Sequence, residues 1–112
     1  MTRTATRSYS PYSRDATVFL GQLIRRARIE RKLTAEDLAE RAGLSRGLVV
    51  RIEKGDPGCA IGAVFEAAAI VGVRLFDADY ARVSSMVSAN TATLALLPQA
   101  VRAPKIEVKD DF

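Results

Sequence analysis

The sequence predicts an all-α fold of four or five short helices followed by one short C-terminal strand. Three observations carry this. Apolar residues recur at steps of three and four across most of the chain. Glycines stand where those runs stop, at Gly43, Gly55 and Gly72. Of the 112 residues, 48% are hydrophobic but only 6% aromatic. A core of Ala, Val, Leu and Ile suits small helices packed closely.

Residues 1–14 are rich in Arg, Ser and Thr, poor in acid, and contain Pro11. Transit peptides share that composition, but an unstructured basic arm is the reading taken here. No apolar segment of a secretory signal is present there. From Asp15, expected as an N-cap, Leu20, Leu23, Ile24 and Ala27 mark a first amphipathic helix over about 16–31. Thr34 caps the second helix, with Asp37 three residues on, and Leu38, Ala39 and Ala42 form its inner stripe. Gly43 supplies the left-handed residue that ends it. Ser45 caps a third helix running from Arg46 to about Lys54.

Only Gly43, Leu44 and Ser45 separate helices two and three, which makes the pair a helix-turn-helix unit. Asp56-Pro57-Gly58 forms a turn. A fourth helix, about Ile61 to Val71, is so apolar that burial on most sides is expected. Val73, Arg74, Leu75 and Phe76 then alternate like a strand. A lone strand needs a partner, and the same segment of a second copy is the simplest one. Residues 77–97 read as one or two helices broken near Asn90-Thr91, and Pro98 opens an extended tail over 98–112. The expected organisation is thus an arm (1–14), a helix-turn-helix domain (15–76), a helical extension (77–97) and a tail (98–112).

Charge is unevenly spread. Residues 1–54 hold 12 Lys/Arg against 6 Asp/Glu, and residues 55–112 hold 5 against 7. The basic half is the one suited to a polyanion. The absence of His and the single cysteine, Cys59, argue against a metal centre and a disulfide. Cys59 reads as a passive small residue opening the fourth helix. No cluster of acids and bases marks a catalytic pocket, so neither an enzyme nor a cofactor is expected. With no membrane-length apolar run and one thiol, a cytoplasmic setting is expected.

The outer face of the third helix carries Arg46, Gly47, Val50 and Arg51, while Val49 and Ile52 face inward with Leu44. A helix fits the major groove of B-DNA, and Arg forks onto guanine O6 and N7. Arg46, Gly47, Leu48, Val50 and Arg51 are therefore the candidate base-reading positions. Leu48 and Val50 are either ordinary surface apolar residues or contacts to a thymine methyl. Phosphate contacts are assigned to Thr34, Ala35 and Ser45, at helix N-termini, and to Lys54.

The run Leu33-Thr34, Leu38-Ala39, Gly43-Leu44-Ser45, Val49 and Ile52-Glu53-Lys54-Gly55 resembles the helix-turn-helix of the XRE/Cro-like family. The resemblance spans about 18–75. It implies an XRE/Cro-like helix-turn-helix domain, a transcriptional repressor, and an ion pair between Arg28 and Glu53. Ala35 stands where the family usually has Gln, and Gly47 where it often has a base-reading side chain. Both departures imply more reliance on phosphates, DNA shape or dimerisation.

The chain is also similar to HipB-type antitoxins at Leu20-Gly21-Gln22-Leu23-Ile24-Arg25, at Asp56-Pro57, at Val73–Phe76 and in the charged tail ending Asp110-Asp111-Phe112. That likeness implies autorepression of a toxin–antitoxin operon and a HipA-like kinase toxin as partner; the homodimer follows from the lone strand, and a two-fold protein matches a palindromic double-stranded DNA operator. Ile106, Val108 and Phe112 would dock the tail on that partner. The alternatives are a stand-alone repressor of the same family, or a protein-interaction module without DNA binding. A disordered solubilising tail is the plain alternative to docking.

Overall fold

In the computed structural model, residues 8–101 and 103 are described. The expectations for residues 1–7 and for Ile106, Val108 and Phe112 lie outside them. Five helices follow one another: α1 (Pro11–Glu30), α2 (Ala35–Ala42), α3 (Arg46–Glu53), α4 (Ile61–Ile70) and α5 (Tyr80–Ala95). The chain divides into two units, Met1–Asp77 and Ala78–Phe112.

Helix α1 starts earlier than expected. Ser10, not Asp15, is its N-cap, and the Ser10 hydroxyl accepts from the Ser13 amide at 3.2 Å. Pro11 is the first helical residue. Its missing N–H costs nothing there and its fixed φ suits the helix, so a residue expected to oppose helix begins one. Residues 11–14, expected in a flexible arm, are therefore helical.

The second helix opens with a full capping box. The Asp37 amide donates to the Thr34 hydroxyl at 3.0 Å, and the Thr34 amide to the Asp37 carboxylate at 2.9 Å. Gly43, at φ +70°, ends it in the left-handed conformation. Ser45 caps α3 by accepting from the Leu48 amide at 3.1 Å.

The core of the first unit is Ile24, Leu38, Ala39, Val49, Ile52, Ala67, Ala68 and Val71, drawn from α1 to α4 and the residue after α4. Gly21 lets α1 and α3 touch. A Cβ there would collide with the Ile52 carbonyl oxygen and press on the backbone of Glu53 and Gly55. Helix α4 is less enclosed than expected. Only Ala67 and Ala68 are buried, and Ile61 is 68% exposed. Val64 and Ile70 pack against the core from its edge, and Gly62, Glu66 and Ala69 face outward.

Within the single chain Val73–Phe76, expected as a strand, forms none beyond an isolated bridge at Leu75. Val73 and Leu75 pack against the core, and Phe76 and Asp77 take positive φ values of 56° and 55°. The inward–outward alternation thus comes from packing on the helices. The backbone turns at Phe76 and Asp77, where the extended segment ends. Phe76 meets Phe65 edge to face, with ring centroids 6.3 Å apart.

In the second unit α5 runs unbroken through Asn90 and Thr91. Asp79 caps it, accepting from the Arg82 amide at 2.9 Å. The Thr91 and Thr93 hydroxyls bond back to the carbonyls of Val87 and Ala89. Back-bonding satisfies those hydroxyls on the helix's own carbonyls, so they need no partner outside it.

Candidate nucleic-acid interface

Helix α3 is anchored on one side and open on the other. Val49, Ile52 and Glu53 are buried. Arg46, Gly47 and Arg51 are exposed between them, and Lys54 follows at the C-cap. This division follows from helical spacing, because inward residues three and four apart leave their neighbours outward.

The anchor is an ion pair. Arg28 Nε lies 2.7 Å from Glu53 Oε2 and its Nη2 lies 3.0 Å from Oε1, a two-pronged contact between α1 and α3. The remaining Arg28 amino group donates to the Leu33 carbonyl at 2.7 Å. Both side chains are largely buried, 12% and 6% exposed. The hydrogen bond to Glu53 is the main cause holding the Arg28 guanidinium firmly protonated. Arg25 adds a longer contact to the same carboxylate at 3.9 Å. Arg28 is therefore spent on structure and fixes α3 against α1 and the start of α2.

A groove of about 540 Å³ runs along this region. Arg46, Val50 and Lys54 of α3 line it with Gln22 and Arg25 of α1 and with Ala35. Four candidate positions thus share one concave surface with three polar side chains of α1, Gln22, Arg25 and Arg28. Sequence reasoning missed Gln22 and Arg25, although the two stand three residues apart on one exposed face of α1.

Other candidates fall elsewhere. Leu48 packs against the core, so it is an inward residue rather than an exposed reader. Gly47 faces open space, and a Cβ there would meet nothing within 4 Å. The start of α2 is crowded with acid. The Thr34 amide is given to Asp37, and Glu36 and Asp37 occupy the first turn. That bond holds the Asp37 carboxyl below the usual range. A carboxylate already takes the place assigned to phosphate at Thr34, and Ala35 is half-buried beside it. The first turn of α3, capped by Ser45, carries no acid.

Both outward arginines have an acidic neighbour. Arg46 lies 4.0 Å from Glu36, and Arg51 Nε lies 2.8 Å from Asp56 Oδ2. Asp56 had been assigned only to a turn. Its backbone amide returns to the Arg51 carbonyl at 3.1 Å, which brings the carboxylate beside α3. The Gly58 amide, first, and then Arg51 hold the Asp56 carboxyl below its ordinary value. The Asp-Pro-Gly order was the available signal, since Asp before such a turn bonds the amide two residues on.

Cys59 is half-buried, and burial pushes its thiol up. Among the described residues no group of three or more His, Cys, Asp or Glu is placed to hold a metal, and no helix is long and apolar enough to cross a membrane.

No curated protein and no solved structure matches the chain. A family model described as a helix-turn-helix domain matches residues 20–77, more than half of the chain. That span opens with the α1 residues that brace α3 and closes at the turn of Phe76 and Asp77, and the chain belongs to the helix-turn-helix domain family.

Proposed function

We propose that this chain is a sequence-specific, DNA-binding transcriptional repressor that lays α3 in the major groove. One observation carries the reading. Helix α3 is locked from behind by Val49, Ile52 and the Arg28–Glu53 pair, while Arg46, Gly47 and Arg51 stand outward and exposed. Arg46 and Arg51 read base edges, and Val50 lies in the groove beside them. Gly47 allows close approach. Lys54 and the amides at Ser45 meet phosphates. A homodimer on a palindromic operator would place half-sites about 34–36 Å apart, or a multiple of that.

The experiment is selection from a randomised duplex pool, then titration of variants on the selected and scrambled duplexes. Arg46→Ala and Arg51→Ala should each cost about 1–3 kcal/mol on the selected duplex and relax preference at one base pair. Lys54→Ala should weaken both duplexes alike and flatten the salt dependence. Equal losses on both duplexes for the two arginines would reassign them to phosphate. No preference in the selected pool would remove the repressor reading.

The finer role, autorepression as antitoxin to a HipA-like kinase, is supported by the likeness at Leu20–Arg25 and Asp56-Pro57. Co-purification from native cells tests it, and recovery of operator DNA without a kinase would leave a stand-alone repressor. A cytoplasmic location is part of the same reading.

A further inference from the structure

Helix α5 is 16 residues long and buries none of them. Helices near that length are marginal in water unless a face is packed, and α5 is rich in Val, Ser and Thr, which favour helix weakly. Its apolar residues show where a partner belongs. Tyr80, Val83, Val87 and Leu94 lie at alternating steps of three and four, with Asn90 in the one polar place, and Leu97, just past the end of the helix, continues the spacing. That alternation averages about 3.5 residues, the period of a two-helix seam. Tyr80, Val87 and Leu94 are 86%, 60% and 61% exposed.

We propose that this stripe is a self-association surface, on which α5 of a second copy packs parallel and in register. Three features select a second copy of the chain. First, Asn90 interrupts the stripe. Against an apolar partner its amide would be buried unsatisfied, but opposite its own copy the amide supplies both a donor and an acceptor. Only the in-register pairing sets the two amides opposite each other, so slipped pairings leave both unsatisfied. Second, Arg82 is the only charged residue of α5 and lies off the stripe, so two copies meet without like-charge repulsion. Third, a two-fold pair presents the same patch twice, which suits one repeated stripe. The proposal deepens the dimer part of the function proposed above and replaces Val73–Phe76 as its seat.

Sedimentation equilibrium of the full chain tests it. Wild type should be dimeric at micromolar concentration, and the Val87→Asp, Leu94→Asp double variant should dissociate about 100-fold more readily. A monomeric wild type, or a double variant as dimeric as wild type, overturns the seam. A second arm does not depend on loss. In a Cys59→Ser background, Asn90→Cys should cross-link to a covalent dimer under mild oxidation, and Ser85→Cys, off the stripe, should not. Equal cross-linking at both positions overturns the register. Duplex binding is measured separately. Its failure in a wild type that still dimerises would refute the DNA reading and leave the seam intact.

Discussion

Arg51 and Asp56 are joined twice, by a 2.8 Å side-chain contact and by the Asp56 amide on the Arg51 carbonyl at 3.1 Å. The side-chain contact uses Nε, so the two terminal amino groups of Arg51 remain free. Asp56 therefore aims the arginine while leaving its fork available.

Asp56→Ala should lower affinity for the selected duplex by about 1 kcal/mol, the low end of an Arg–guanine contact. Binding to scrambled duplex should rise, because a carboxylate near phosphate has gone. Fluorescence anisotropy on both duplexes reads the two effects. The same change on both would mean that Asp56 only sets local charge.

Breaking the brace between α1 and α3 should be costly. Glu53→Ala leaves the Arg28 guanidinium largely buried without its carboxylate, and about 3 kcal/mol of stability should be lost. Thermal unfolding measures this. An unchanged midpoint would show that the pair holds nothing.

Two glycines should respond in opposite directions. Gly21→Ala drives a methyl into the backbone of α3 and should destabilise by about 1–3 kcal/mol. Gly47→Ala adds its methyl to open space and should stabilise the helix by about 0.5–1 kcal/mol. On the proposed face, that same methyl should weaken duplex binding. Melting curves paired with titrations test both, and a stabilised Gly47→Ala that binds DNA as wild type does would place α3 away from the groove.

Acid should weaken the fold through Asp37 and Asp56. Both carboxyls are held below their ordinary value, by the Thr34 and Gly58 amides first. The folded state thus binds these protons less readily than the unfolded chain. Their contribution is complete above the ordinary carboxylate range, near about 4, and is lost as pH falls through the lower folded values. The Asp37→Asn, Asp56→Asn double variant should show a flatter fall in melting temperature between neutral and acidic pH. A parallel fall would clear both residues of that role.

Much of the first unit was legible because its signals are local. Thr34 with Asp37, Gly43, and Ser45 each act on amides within three residues, and periodicity marked Leu38, Val49 and Ile52 as inward. The errors lie where one residue has two uses. Pro11 opposes a helix interior but suits its first position. The alternation of Val73 to Phe76 fits a strand or a segment lying on a helical core. Leu48 sits between inward and outward arcs, and only packing decides for it. The Arg51–Asp56 pair depends on the path of a turn, which spacing does not encode. Asn90 and Thr91 read as a break because each favours helix weakly, but that preference is small against the Ala-rich residues on either side.

Helix α3 thus separates two duties on one short element. Val49, Ile52 and Glu53 hold the fold, while positions 46, 47 and 51 touch little besides solvent and the carboxylates beside them. Substitutions on the outer arc draw on almost none of the folding free energy. A library randomised at those three positions should return mostly folded proteins with altered preferences. Such a scaffold can drift toward new operators, or be reprogrammed toward chosen ones, without first being stabilised.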